Sequence, residues 1–233
     1  MKKIIIAIDG FAGCGKSTTA QMVADRLDYI YITTGAMYRA TTLYFLRENI
    51  PFEEENPIME AALEKMRIEL RVEGETKVAQ TYLNGEHVEL ELRTPQVNDH
   101  VSQVSVYAMV RKEMVRQQRM IGKEGGIVMD GRDIGTVVFP HAELKIFMKA
   151  DVKVRAYRRL RELKERGVEI SLEKVIENLK ERDRIDTTRK QSPLKQAEDA
   201  IVIDTTHMSI DEQVNRVCKF ARERMKKLNK IEN

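Results

Sequence analysis

The chain has 233 residues, of which 42% are hydrophobic and 33% charged, and its net charge is +3. That balance suits a globular protein with a sizeable core and lacks the strong basic excess of a general nucleic-acid binder. Two cysteines, Cys14 and Cys218, exclude a disulfide scaffold and fit a reducing cytoplasm, and no apolar run reaches the length of a membrane span.

Ile4-Ile5-Ile6-Ala7-Ile8 predicts a buried strand. Asp9-Gly10 interrupts it, so Lys2-Lys3 and this run do not make a secretory signal. Gly10-Phe11-Ala12-Gly13-Cys14-Gly15-Lys16-Ser17 then spells the phosphate-binding G-x-x-x-x-G-K-[ST] loop, and Ala20, Val23, Ala24 and Leu27 follow at helical spacing. Gly10, Gly13 and Gly15 let consecutive backbone N–H groups wrap an anion, and the helix that follows points its positive end at the same place. Lys16 is placed to reach the outer phosphates, and the Ser17 hydroxyl to ligate Mg²⁺.

Tyr29-Ile30-Tyr31-Ile32 predicts a second strand, ended by Thr33-Thr34-Gly35. Met37, Ala40 and Tyr44 predict a helix to about Asn49, and residues 57–66 another, with Pro57 in its first turn. The period then changes to two, through Ile68, Leu70 and Val72, then Val78, Gln80 and Tyr82, then Val88, Leu90 and Leu92. With Asn84-Gly85 as the hairpin turn, this predicts an antiparallel insert of about three strands at 63–93.

Residues 95–122 read as one continuous helix carrying Arg111, Arg116 and Arg119. Ile127-Val128-Met129-Asp130 is a buried strand ending in a carboxylate, with Gly131-Arg132-Asp133 after it, and further strands are expected at 144–148 and 200–204. The helices expected at 152–166 and 171–184 are basic, with thirteen Lys/Arg against eight Asp/Glu over 153–190. Ser209 and Glu212 form a capping-box pattern at the last helix, and residues 230–233 read as a frayed end.

Five short apolar strands separated by helices predict an α/β fold with a parallel sheet covered on both faces. Ligands of such sheets bind at the carboxyl ends of the strands, where the phosphate loop, Thr33-Thr34 and residues 130–133 all emerge. No D-x-x-G occurs, and 229–232 misses the guanine-reading N-K-x-D at its last letter, so a GTPase switch does not fit. An ATPase motor or nucleic-acid remodeller would show repeats or a broader basic surface. A small-molecule phosphotransferase must neutralise two sets of phosphates and exclude water, which the arginine-dense stretch 153–190 suits.

The chain resembles the bacterial cytidylate kinases, a branch of the nucleoside monophosphate kinases. The resemblance rests on Ile8-Asp9 before the phosphate loop, Thr34-Gly35-Ala36-Met37-Tyr38-Arg39 and Ser102-Gln103-Val104. It also rests on Asp130-Gly131-Arg132-Asp133-Ile134-Gly135-Thr136-Val137-Val138-Phe139-Pro140, Glu181-Arg182-Asp183-Arg184-Ile185-Asp186, Ser192-Pro193-Leu194 and Ile203-Asp204-Thr205-Thr206. Together these span residues 4 to about 221.

The resemblance implies a P-loop kinase that transfers the ATP γ-phosphoryl group to CMP or dCMP with Mg²⁺. Its core would be 1–33, 94–152 and 191–233, its monophosphate-binding domain 34–93, and its helical lid 153–190. It implies that Lys16, Arg132, Arg182 and Arg189 are catalytic. ATP would lie on Gly10, Phe11, Ala12, Gly13, Cys14, Gly15, Lys16, Ser17 and Thr18, under Arg155, Arg158 and Arg159 of the lid. The acceptor would meet Thr34, Arg39, Arg132, Arg182 and Arg189, with Asp186 on its ribose and Ser102, Arg111 and Asp133 on its base. Ser17 and Asp130 would hold the metal.

The pattern departs from the family at Thr33, where Asp is usual, at Phe11, where Pro is usual, and at His141, where Asp is common. The expected partners are small nucleotides, not nucleic acid or membrane, for a cytoplasmic monomer. The alternatives are a kinase for UMP or AMP and, in another class, a P-loop ATPase or nucleic-acid remodeller.

Overall fold

The structure is a computed structural model, and it describes residues 3–73, 77–165 and 167–231. Five strands form the main sheet: β1 (Ile5–Gly10), β2 (Ile30–Thr33), β6 (Ile127–Gly131), β7 (Leu144–Lys149) and β8 (Ile201–Asp204), in the spatial order β2-β6-β1-β7-β8. All four pairings are parallel. Every residue of β6, and all but Ile5 of β1, is buried, as a central strand covered on both faces requires.

Two apolar layers sandwich that sheet. On one face α1 (Lys16–Leu27) and α8 (Ile210–Ile231) bury Ala20, Val23, Val214, Val217 and Cys218 against Ile6, Ile8 and Ile146. On the other, Val115 of α5 (Ala108–Ile121) packs with Ala7, Met129, Ile134 and Val138. The capping box at α8 forms as read: the Ser209 amide donates to Glu212 Oε2 at 2.7 Å and the Glu212 amide to Ser209 Oγ at 3.3 Å. Lys230 belongs to α8 and is not frayed, while 232 and 233 lie outside the described residues.

A second core joins α2 (Thr34–Arg47), α3 (Pro57–Lys65) and α4 (Pro95–Val104) to an antiparallel sheet of β3 (Ile68–Val72), β4 (Ala79–Leu83) and β5 (Glu86–His87). The third strand is only two residues long. Val88 and Leu92 are buried, but Leu90 is 86% exposed, so the apparent alternation is a chain turning into a short 3₁₀ segment, Glu91–Arg93.

The helix expected over 95–122 is two helices. The chain breaks at residues 105–107, and Tyr107 turns to an extended conformation before α5 begins. Two helices follow β7, α6 (Val152–Glu165) and α7 (Leu172–Thr188), the second ending four residues beyond its expected end at 184. They pack through Ala156, Val175 and Leu179, which also cover Ala12 of the phosphate loop.

Candidate active site

The loop after β1 wraps as its glycines require. A Cβ at Gly10 would lie 2.0 Å from the Met148 carbonyl oxygen, so only glycine lets β1 run this close to β7 there. Gly15 sits at φ 92° and hands the chain directly to α1. Lys16, almost fully buried, folds back so that its ammonium donates to the Phe11 carbonyl at 2.6 Å. Burial, and then the nearby Arg132, lower its pKa from the ordinary lysine value.

Beside the loop, the Ser17 hydroxyl donates to Asp130 Oδ2 at 2.9 Å. The other oxygen of that carboxylate accepts from the Tyr31 hydroxyl, also at 2.9 Å. Two hard oxygen donors at the mouth of a phosphate loop match the chemistry of Mg²⁺, which takes one or two protein oxygens and fills its shell with phosphate and water. The described residues hold no group of three or more His, Cys, Asp or Glu that could hold a metal ion.

Residues 130–138 leave β6 and turn across the end of the sheet. The turn at Ile134–Val138 is wide, closed by Val138 N–H to Asp133 O and Phe139 N–H to Ile134 O. The Asp9 carboxylate holds its start, accepting from the Ile134 and Gly135 amides at 2.8 and 2.7 Å. Burial pushes the pKa of Asp9 up to about 7 despite these two bonds.

This turn fixes Asp133, whose carboxylate accepts from Arg111 Nη2 at 2.6 Å. Ion pairs continue from there: Arg189 lies 3.9 Å from Asp133 and 3.5 Å from Asp186, and Arg132 donates to Asp186 at 2.7 Å. Burial alone would raise the Asp186 carboxyl, but Arg132 and Arg182 hold it below its usual range. Among the described residues Arg182 shows no ion pair of its own, although the Asp186 carboxylate lies near enough to act on it. Burial, then Arg132, bring its pKa down to about 10. Arg39 donates to the Gly35 carbonyl, and burial, then the surrounding arginines, lower it.

These groups line one cavity of about 250 Å³. Lys16 and six arginines (39, 111, 132, 159, 182 and 189) face it against four carboxylates, Asp130, Asp133, Glu162 and Asp186. Burial, and after it repulsion from neighbouring arginines, lowers Lys16, Arg39 and Arg182, and an incoming polyanion would offset both.

The cavity is lined by most of the expected set: Ala12, Gly13, Gly15, Lys16, Ser17, Thr18, Thr34, Arg39, Ser102, Arg111, Asp130, Arg132, Asp133, Arg159, Arg182, Asp186 and Arg189. Gly10, Phe11 and Cys14, expected on ATP, are not among its lining residues. Arg155 and Arg158 do not reach it either, against expectation. Arg155 makes a two-point pair with Asp183 and donates to the Ala12 and Ala150 carbonyls. Arg158 donates to the carbonyl and hydroxyl of Thr205 at the end of β8. Both guanidinium groups fasten α6 to the core.

Sequence reasoning passed over Tyr31, Tyr38 and Ser105. Tyr38 and Ser105 line the cavity, and the buried Tyr38 hydroxyl has no hydrogen-bond partner. Tyr38 stands inside a motif already singled out, so its place in that string was the available signal. Ser105 is one turn beyond Ser102, a spacing that puts both on one side of α4.

With this geometry in view, the match to known families is specific. The model of the family described as cytidylate kinase matches residues 6–223. The chain belongs to the cytidylate kinase family. It is 50% identical over 234 residues to the cytidylate kinase of Cytophaga hutchinsonii, all of both chains being covered. It is 52% identical over 215 residues to the cytidylate kinase of Phocaeicola vulgatus, covering 91% of this chain and 94% of that one. A solved shikimate kinase from Bacteroides thetaiotaomicron, 10% identical, superposes with a TM-score of 0.50 over 94% of this chain and 98% of that one, a likeness of fold alone. No described helix is long and apolar enough to cross a membrane.

Proposed function

We propose that the protein transfers the γ-phosphoryl group of ATP to CMP or dCMP, giving ADP and CDP or dCDP. The observation that carries this reading is the cation-lined cavity running from the phosphate loop to the Arg111–Asp133 pair, in a member of the cytidylate kinase family. Its length joins a polyphosphate site to a site with the hydrogen-bonding groups a cytosine needs. Cytosine presents an amino donor on one edge beside ring-nitrogen and carbonyl acceptors, so it calls for a carboxylate next to hydroxyl and guanidinium donors. Asp133, Ser102 and Arg111 supply that set.

In this reading the loop amides and Lys16 carry the ATP β- and γ-phosphates, and Ser17 and Asp130 hold Mg²⁺, which when bound draws charge off the phosphate oxygens. Arg39, Arg132, Arg182 and Arg189 orient the acceptor phosphate so that its oxygen attacks in line. That oxygen is already anionic near neutral pH, so no strong general base is needed. Lys16 leaves the Phe11 carbonyl for the γ-phosphate, and the incoming anion offsets the burial that lowers its pKa. Residues 34–93 form the acceptor domain and 153–190 the lid. Arg159 is the lid arginine that faces the ATP phosphates, while Arg155 and Arg158 anchor its base. The free thiols of Cys14 and Cys218 suit a reducing cytoplasm.

A coupled ADP-release assay with ATP and Mg²⁺ across CMP, dCMP, UMP and AMP tests the proposal. Turnover is expected with CMP or dCMP at the highest kcat/KM. Preference for UMP or AMP, or ADP release that needs no monophosphate, would overturn it.

A further inference from the structure

Asp130 has a second partner that the phosphate-loop chemistry does not account for. Tyr31 lies in β2 and Asp130 in β6, and the two strands pair with Tyr31 opposite Val128 and Thr33 opposite Asp130. The Tyr31 ring is buried in the sheet's apolar layer and fixed there. Its hydroxyl reaches along the strand and donates to Asp130 Oδ1 at 2.9 Å, while Ser17 donates to Oδ2 at 2.9 Å. A carboxylate held at both oxygens cannot rotate about its terminal torsion. One oxygen is therefore turned permanently toward Ser17 and the cavity.

We propose that Tyr31 is a positioning residue for the metal site: its phenol locks the Asp130 carboxylate so that Oδ2 is presented with Ser17 Oγ to Mg²⁺ on the bound nucleotide. This rests on the assignment of Asp130 to the metal made above. The physical reason is that a ligating carboxylate is itself oriented by a hydrogen bond from behind, and loss of such a bond weakens metal binding without touching the ligand. Tyr31 suits the task because its ring is rigid and held in the core, and it is not itself a lining residue of the cavity. Thr33 is consistent with this arrangement. It faces the cavity beside Asp130, and a neutral hydroxyl at that position leaves Asp130 as the carboxylate nearest Ser17.

The test uses the full-length chain and Mn²⁺ as the probe, with ADP as the nucleotide. ADP affinity is measured by titration calorimetry in EDTA and again with Mn²⁺, for the native chain, Tyr31→Phe and Asp130→Asn. Tyr31→Phe keeps the ring and removes only the donor, and its melting temperature without ligand reports whether packing is intact. The expected result is that Tyr31→Phe leaves ADP affinity in EDTA unchanged and cuts the metal-dependent gain about tenfold, the loss typical of an outer partner of a metal ligand. Asp130→Asn should cut it at least as much. An unchanged gain in Tyr31→Phe with a reduced gain in Asp130→Asn overturns the role of Tyr31 alone. An unchanged gain in both overturns the metal assignment beneath it. An equal loss in EDTA and in Mn²⁺ would make Tyr31 a packing residue and overturn the proposal. If Tyr31→Phe melts well below the native chain, the titrations are repeated at a temperature where both chains stay folded, and an unchanged metal-dependent gain there overturns the proposal.

Discussion

Arg111 and Asp133 form a buried ion pair, with Nη2 and Oδ2 2.6 Å apart and the two residues only 2% and 4% exposed. They come from different elements, α5 and the turn after β6, so the pair also fastens the base end of the cavity to the core.

Removing one partner strands the other charge in the interior. Arg111→Met is therefore expected to cost about 3–5 kcal/mol in urea unfolding, the usual penalty for breaking a buried pair. Asp133→Asn keeps a hydrogen-bond acceptor for Arg111 and should be milder in stability. Its main effect should be on base choice, lowering the kcat/KM ratio of CMP over UMP, because an amide both donates and accepts where the carboxylate only accepts. Equal losses for both bases would separate Asp133 from base recognition.

Asp9 gives a pH signature. Its carboxyl is raised from 3.8 to about 7 in the folded chain, chiefly by burial. Between those values the folded state binds the proton that the unfolded state has released, so this group's contribution to stability falls as pH rises through that window. Asp9→Asn should flatten the fall, measured as urea midpoints at pH 4 to 7. Because Asp9 also holds the Ile134 and Gly135 amides, the same variant should raise KM for CMP more than KM for ATP.

Lys16 and Arg182 should behave in the opposite sense to Arg111. Each is a desolvated cation that shows no ion pair among the described residues, and each has a lowered pKa. Lys16→Ala should reduce kcat by roughly a hundredfold to a thousandfold, the cost of losing a preorganised donor to developing charge. The melting temperature of the ligand-free chain should hold or rise. A marked fall in melting temperature would make Lys16 a structural residue.

The lid arginines divide by what they touch. Arg158 donates to Thr205 and does not line the cavity, so Arg158→Ala should cost about 1–3 kcal/mol of stability. It should do so with little change in KM for ATP. Arg159→Ala should do the reverse, raising KM for ATP while leaving urea unfolding nearly unchanged, since its pairing with Glu162 is half-exposed.

Much of this was legible in the chain itself, where local pattern and chemistry coincide. The five apolar runs became the five parallel strands, and the glycines at 10, 13 and 15 stand at positive φ in the loop after β1. The sequence misled where one pattern served two shapes. Leu90 keeps the two-residue rhythm of a strand yet is exposed, because the chain has already begun to coil. The break at residues 105–107 carries no glycine or proline, so nothing local announced it. Arg155 and Arg158 match lid arginines in position, but whether a guanidinium meets a phosphate or a main-chain carbonyl depends on Ala12 and Thr205, which are 143 and 47 residues away. The same distance hid Tyr31, whose partner Asp130 is 99 residues along the chain.

The central claim is that one cavity takes two nucleotides end to end, phosphates among the arginines and a pyrimidine at Arg111 and Asp133. The most direct measurement is a crystal structure with CMP, Mg²⁺ and a non-hydrolysable ATP analogue. The account predicts the γ-phosphate on Lys16 and the loop amides, the CMP phosphate on Arg39, Arg132, Arg182 and Arg189, and the cytosine against Asp133 and Arg111. A cytosine bound elsewhere, or a CMP phosphate that none of these four arginines contacts, would contradict it.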